Sequence, residues 1–347
     1  VGARSGNNYL SAIRKLKSEC WIDDVRILDP ITHPRLVNYA RGIASLYDAQ
    51  IERPAAMTYR LAEGDRVGLS FMQPRDAGEM EKRGAMLQMW AELRGDGFNY
   101  APEVLNSTLA AMAAASDFFE ASHQAFARNL EAFYRAARRH DWCMTSNLTE
   151  FHYNCLPDTS PDPEPLKIVE HSGASIHISG AIKLTMPGSL AEKLLVLSSP
   201  RRGSAEIVFA ADCNAPGLRF VHQQSSSPDL TCLAIFDQVV IPEERIFLRD
   251  NPVRYREMME ETGAAITLRH HAAIQSLVRA ETLATAGDSD AAPNPRAEAW
   301  RHAAESLRAC LKKASVEAEM NRWGILIPAR APLEEALDFF RRINRAA

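Results

Sequence analysis

The chain has 347 residues, 46% of them hydrophobic and 24% charged, and its 40 Lys and Arg against 44 Asp and Glu leave a net charge of −4. That composition excludes a disordered polymer and is long enough for two or three packed layers or domains. It supplies no basic field for nucleic acid or an anionic membrane, and no apolar run approaches bilayer-spanning length, so the expected partner is a small molecule or another protein surface and the expected location the cytoplasm.

The opening Val1-Gly2-Ala3-Arg4 has neither an initiator Met nor a signal-peptide pattern and reads as a trimmed end. Asn8 to Lys17 forms a short amphipathic helix, and Trp21 to Leu28 a small strand pair or turn around Asp23-Asp24. His33-Pro34 starts a helix through Tyr47, with Leu36, Ala40, Ile43, Ala44 and Tyr47 on one face. Asp76 to Leu93 is another. Ser107 is a good N-cap for a helix running to His140, whose stripe is Leu109, Met112, Phe119, Phe126, Leu130 and Phe133. Such a helix is roughly 50 Å long at about 1.5 Å per residue.

After Asp141 the period changes. Lys167 to Glu170, Ser175 to Ser179, Leu194 to Leu197, Glu206 to Ala210, Leu218 to His222 and Leu233 to Val239 are short β-rich runs between Gly, Pro or Ser clusters. Pro157 to Pro165 reads as a surface linker. Within the run that ends at Pro242, Ile235, Val239 and Ile241 are expected to pack inward, with Glu244 and Arg245 pairing locally. Helical pattern returns over Tyr255 to Thr285 and Ala297 to Asn321, and a last helix begins near Pro332. The fold class is therefore α+β, with an N-terminal helical domain (1–142), a central antiparallel, β-barrel-like domain (143–252) and a C-terminal helical bundle (253–347).

Chemical signals in the residues alone are sparse. Cys20, Cys143, Cys155, Cys213, Cys232 and Cys310 are scattered without metal-ligand spacing and are expected to be buried free thiols, with no metal site. His270-His271 places adjacent imidazoles on different helix faces. Asp212, Asp237 and Glu244 are candidate bases, although strand ends commonly carry such groups. Phe98, Tyr100, Phe151 and Tyr153 are placed to line an apolar, substrate-binding pocket between helical and β layers, or to serve as ordinary core. No G-x-G-x-x-G follows a strand, so no Rossmann site is expected.

Several segments together carry a family resemblance. They are Gly97-Phe98-Asn99-Tyr100-Ala101-Pro102-Glu103-Val104-Leu105-Asn106, the Leu36 to Gln50 helix, Ser179-Gly180-Ala181 with Leu190 to Val196, Phe236-Asp237-Gln238-Val239-Val240-Ile241-Pro242-Glu243-Glu244-Arg245-Ile246-Phe247, Gln275 to Arg279, and Trp323 to Pro332. Across essentially its whole length the chain resembles the oxygenase component of 4-hydroxyphenylacetate 3-monooxygenase, a flavin-dependent phenol hydroxylase family. The resemblance implies an acyl-CoA dehydrogenase-like fold whose C-terminal part is incomplete here. It also implies reduced FAD supplied by a partner flavin reductase, and a homo-oligomer, dimer or tetramer.

Residue by residue, the functional positions depart from that family. Aligned on Pro102, the family's substrate-handling Arg and Tyr fall on Tyr100 and Val104, so a fixed cation and a hydroxyl are both exchanged. The family's Thr-His pair falls on Thr145-Ser146, and His152 stands six residues further on as a replacement imidazole. Tyr100, Ser146 and His152 are thus the catalytic candidates; Phe98, Val104, Phe151 and Tyr153 the substrate-binding ones. On the flavin side the candidates are Thr145, Met186, which stands where the family has a Thr, and neighbouring Thr185, which would substitute after a one-residue shift, with Glu150 to Cys155 replacing a family run that helps to hold the cofactor. The related 4-hydroxybutyryl-CoA dehydratases ligate an iron-sulfur cluster through cysteines in the same loop, and Asn99 to Glu103 has none. Two readings stay open. One is a divergent oxygenase component of a two-component monooxygenase, acting on an aromatic, carrier-bound or specialised-metabolite substrate. The other is a flavin-free member, with no cofactor, repurposed as a non-redox enzyme or a binding or assembly subunit.

Overall fold

The computed structural model describes residues 2–95, 102–148, 163–184, 187–197, 204–224, 230–286 and 295–346. Helix α1 (Gly6–Leu16) is capped by the Ser5 hydroxyl and leads into the hairpin β1 (Glu19–Ile22) and β2 (Val25–Ile27). Asp23 and Asp24 turn that hairpin at φ of 48° and 63°, left-handed backbone that short polar side chains tolerate. Then follow α2 (Val37–Glu52), the single turn α3 (Pro54–Met57), the strand pair β3 (Thr58–Arg60) and β4 (Arg66–Gly68), and α4 (Ala77–Arg94). Helix α2 begins only at Val37, after a turn at 33–36. The Asp76 carboxylate caps α4, accepting from Glu79 N at 2.9 Å.

The long helix expected from Ser107 to His140 is three helices: α5 (Pro102–Ala114), α6 (Ser116–Glu120) and α7 (Gln124–His140). Ser107 caps nothing. It lies buried inside α5 and donates to the Ser70 carbonyl at 3.0 Å. Helix α5 is buried on nearly every face, so its path is set by surrounding layers, and the chain bends at Ala115 and again before His123. His123 Nδ1 caps α7 by accepting from Ala125 N at 3.2 Å.

The central strands form two sheets. Strand order is β2-β1-β10-β11-β7-β6 in one and β12-β9-β8-β5 in the other. Their ranges are β5 (Met144–Ser146), β6 (Lys167–Ser172), β7 (Ser175–Leu184), β8 (Lys193–Leu197), β9 (Ile207–Asp212), β10 (Leu218–Gln224), β11 (Leu230–Pro242) and β12 (Ile246–Arg249). The expected antiparallel pattern holds except at two places: β1, from the N-terminal third, runs parallel to β10, and β5 runs parallel to β8. Leu194 to Leu197 and Ile207 to Ala211 are buried without alternation, as strands covered on both faces require. A register shift between Phe236 and Val239, with Gln238 at φ 51°, corrects the expected face of β11. Phe236, Val239 and Ile241 are buried while Ile235 is only half-buried. After the strand, Glu243 pairs with Arg249 at 2.8 Å, and the expected Glu244–Arg245 contact is replaced by that bridge.

The C-terminal part comprises α8 (Pro252–Glu261), α9 (Ala264–Ala286), α10 (Pro295–Val316), the pair β13 (Glu319–Met320) and β14 (Leu326–Ile327), and α11 (Arg330–Ala346). The single helix expected over Tyr255 to Thr285 breaks at Gly263, whose φ is 78°. Helix α9 is the axis of this part: it packs on α4, α5, α8, α10 and α11, which its many alanines permit at close range. Trp300, Leu307, Leu333, Leu337 and Phe340 close over Ala273, Leu277 and Ala280. Cys20, Cys143, Cys213 and Cys232 are buried free thiols and Cys310 is partly exposed; Cys155 lies outside the described residues. No described helix is long and apolar enough to cross a membrane.

Candidate active site

The centre of interest is the seam where α5 packs on β5. The start of α5 is held by charge. Arg94, at the end of α4, donates to Glu103 Oε1 at 2.8 Å, and both side chains are almost wholly buried. Gln275 of α9 joins them, accepting from Arg94 and donating to the Gly95 carbonyl at 3.4 Å. Glu103 Oε2 and Arg94 Nε are buried with no hydrogen-bond partner among the described residues. One turn on, Asn106 Nδ2 donates to Ser70 Oγ at 3.0 Å, which pins α5 to the segment after β4. Val104, between these anchors, is half-buried against the main core, with no side-chain hydrogen-bonding capacity.

On the other side of the seam, Thr145 and Ser146 are completely buried on β5, in register with Leu194 and Leu195 of β8. The Thr145 hydroxyl accepts from Gly188 N at 3.3 Å. Asn147 ends the strand and grips β8 at both backbone groups, its Oδ1 accepting from Leu197 N at 2.9 Å while its Nδ2 donates to Leu197 O. Beneath the strand a buried network sets its position. Arg4 Nη1 donates to Glu192 Oε1 at 3.0 Å, Glu192 Oε2 accepts from Cys143 N at 3.0 Å, and Arg4 N donates to Asp141 Oδ2 at 3.2 Å. Gln50 donates to the same Asp141 oxygen, and the Arg4 guanidinium lies 4.7 Å from the Tyr47 ring centroid. Burial pushes the Asp141 carboxyl up to about 6, against the pull of Arg4 and Gln50.

A second polar cluster borders the same strand, and nothing in the sequence pattern marks it. Ser189, in the 3-10 turn Gly188–Leu190, bonds His222 Nε2 of β10 at 2.8 Å and accepts from Cys20 Sγ of β1 at 3.3 Å. Cys232 Sγ of β11 lies 3.9 Å from the same imidazole nitrogen. Burial, with His33 adding to it, lowers His222 to about 4, and burial raises Cys20 to about 11, so this is a neutral cluster.

Of the residues singled out from sequence, Val104, Thr145 and Ser146 are described, and the packing of α5 on β5 brings their two elements together. Phe98, Tyr100, Phe151, His152, Tyr153, Thr185 and Met186 lie outside the described residues. The candidate bases do not converge on the seam: Asp212 pairs with Lys193, Asp237 with Arg219 at 3.1 Å, and Glu244 is exposed. His270 and His271 are buried in α9, His270 lowered to about 3 by burial first and by Arg83 second. Among the described residues no group of three or more His, Cys, Asp or Glu could hold a metal ion. Strand β5 carries two buried hydroxyls, Thr145 and Ser146, and no charged side chain.

Comparison with known proteins places this architecture. Residues 5–248 match the family model for the 4-hydroxyphenylacetate 3-hydroxylase N-terminal region. The 4-hydroxyphenylacetate 3-monooxygenase oxygenase component of Thermus thermophilus is 30% identical, over 98% of this chain and 76% of its own length. A crystal structure of such an oxygenase component, complexed with FAD and 4-hydroxyphenylacetate, superposes with a TM-score of 0.84 at 27% identity, covering 99% of this chain and 79% of that one. A glutaryl-CoA dehydrogenase from Mycobacterium smegmatis shares the fold alone, with a TM-score of 0.52 at 12% identity over 98% of this chain and 82% of its own. The helical, β, helical order is thus acyl-CoA dehydrogenase-like, and the chain belongs to the 4-hydroxyphenylacetate 3-hydroxylase family.

Proposed function

We propose that this chain is the oxygenase component of a two-component monooxygenase that takes reduced FAD from a separate flavin reductase and hydroxylates an aromatic or specialised-metabolite substrate. The observation that carries the reading is the superposition, over nearly the whole chain, on an oxygenase component holding FAD and 4-hydroxyphenylacetate. The three-part division at 1–142, 143–252 and 253–347 and assembly as a dimer or tetramer belong to the same proposal.

Reduced flavin, when bound, would supply the two electrons that activate O2, so that one oxygen atom enters the substrate and the other leaves as water. The residues of this chain bind, orient and exclude water. Thr145 and Ser146 present hydroxyls from a rigid, fully buried strand, and such preorganised groups cost no reordering when a ring lands beside them. Val104 offers the substrate an apolar wall where the family places a phenolic hydroxyl, and Tyr100 a neutral hydroxyl where the family places a cation. Those exchanges favour a substrate held by shape and neutral hydrogen bonds over one held as a simple phenolate. His152 is the remaining imidazole candidate for moving a proton, with Phe98, Phe151 and Tyr153 as apolar or aromatic lining and Thr185 and Met186 beside the cofactor.

Titration of oxidised and reduced FAD against the purified chain, followed by O2 uptake with candidate aromatics, tests the reading. Saturable binding of reduced FAD with substrate-dependent O2 uptake is expected. Absence of binding overturns it in favour of a flavin-free member acting as a non-redox enzyme or assembly subunit. Tyr100→Phe separates a hydroxyl role from a packing role: turnover falls with the melting temperature kept in the first case, and unchanged turnover removes Tyr100 from the site.

A further inference from the structure

The 3-10 turn Gly188–Leu190 is held by an unusual number of side chains for its length. Gly188 N donates to Thr145 Oγ1 at 3.3 Å, the Ser189 carbonyl accepts from Ser18 Oγ at 3.3 Å, and the Leu190 carbonyl accepts from Tyr9 OH at 2.9 Å. The Ser189 side chain makes the contacts to His222 and Cys20 already described. Gly188 has φ of 51°, and a Cβ there would lie 2.5 Å from Cys232 Sγ and 3.0 Å from His222 Cε1. The turn is therefore pressed against the face of the six-stranded sheet at a distance that only glycine allows.

Apolar packing would seat a turn at less desolvation cost than buried polar groups, whose burial is tolerated when every bond fixes a geometry. Cys20 donates to Ser189 Oγ, and the Ser189–His222 Nε2 bond runs in either direction according to the imidazole tautomer, so one serine oxygen ties β1 and β10 to the turn. The first amide of that turn engages Thr145.

We propose that Ser189 and His222 form a buried latch that positions the Gly188–Leu190 turn, and through its Gly188–Thr145 bond the Thr145 hydroxyl, for binding FAD. Both are positioning residues: they touch neither substrate nor cofactor and act through the turn. This inference rests on the monooxygenase reading, because the turn engages Thr145, which that reading places beside the flavin.

Ser189→Ala, His222→Phe and His222→Gln in the full chain test it, read by amide hydrogen exchange across the turn without cofactor, FAD affinity by fluorescence quenching, the visible spectrum of bound flavin, and the melting temperature. Ser189→Ala and His222→Phe are expected to speed exchange at Gly188 and weaken FAD about tenfold, the worth of roughly one hydrogen bond. His222→Gln, which keeps a hydrogen-bonding group near Nε2, is expected to return affinity to within about threefold of the parent. If His222→Phe does not fold, Ser189→Ala carries the test alone, since it removes one oxygen and adds no bulk. Folded variants with parental exchange, affinity and spectrum overturn the latch and leave the monooxygenase reading intact. A parent chain that binds no FAD overturns both.

Discussion

The buried Arg94–Glu103 pair at the root of α5 allows a quantitative test of what holds the seam. Glu103→Leu leaves the Arg94 guanidinium, whose side chain is 6% exposed, facing Gln275 with no other carboxylate paired to it among the described residues. Orphaning one partner of a buried pair costs about 3–5 kcal/mol, because the remaining charge keeps its desolvation penalty and loses its attraction. With an unfolding entropy of about 2.1 cal/mol/K per residue over a chain of this length, that loss lowers the melting temperature by about 4–7 °C. Arg94→Met is expected to cost as much, since it strands a carboxylate already short of a partner at Oε2. The double variant removes both charges and leaves two apolar side chains of similar volume, so it is expected to melt within about 2 °C of the parent. Thermal melts of the four proteins by circular dichroism, with a denaturant series for the cycle, measure the coupling. A Glu103→Leu protein that melts with the parent, or a double variant whose loss equals the sum of the singles, refutes the argument that charge pairing sets this junction.

How much of this was legible in the sequence follows from how local each cause is. The α4 helix after Asp76, the turn at Asp23-Asp24 and the central strands rest on neighbours in sequence, and periodicity exposes them. The break between α5 and α7 has no Gly or Pro to announce it. It arises because α5 is buried on nearly every face, and its neighbours, not its own residues, set where it must end. The parallel pairing of β1 with β10 and the β11 bulge at Gln238 are likewise tertiary, and the bulge exchanges Ile235 for Phe236 on the buried face. At the site, Val104, Thr145 and Ser146 were reachable only through the family resemblance, since a Val on a helix and two hydroxyls on a strand carry no chemistry by spacing. Arg94 and Glu103 read as ordinary charged helix ends, and they are buried where α9 packs on α4 and α5. Ser189 and His222 come from separate elements and converge on the same turn with nothing local to signal it.

Two further outcomes test the packing and electrostatics around the seam. Gly180 on β7 has φ of 124°, and an added Cβ would meet the Pro165 carbonyl oxygen at 2.5 Å and Leu166 Cα at 2.9 Å. Both are backbone atoms with little room to yield, so Gly180→Ala is expected to cost about 1–3 kcal/mol in urea denaturation, and an unchanged midpoint refutes the clash. The pH dependence of stability carries two opposing signs. His222 and His270 are held near 4 and 3 against an ordinary 6.5, so in the unfolded chain they take up protons first and their burial destabilises the fold as pH falls below about 6.5. Asp141, raised from 3.8 to about 6, acts oppositely: its contribution is present at low pH and is lost as pH rises through about 6. Near pH 5 the imidazoles give the unfolded state about two more protons and Asp141 about one fewer, leaving a net of about one, or ~1.4 kcal/mol of stability lost per pH unit on acidification. Asp141→Asn removes the opposing group, so the slope between pH 6 and 4.5 is expected to become about twice as steep. Urea midpoints across that range decide it: a variant whose slope matches the parent's means that Asp141 titrates alike in the folded and unfolded chain, and that the Arg4–Glu192–Asp141 network holds its carboxylate ionised beneath β5.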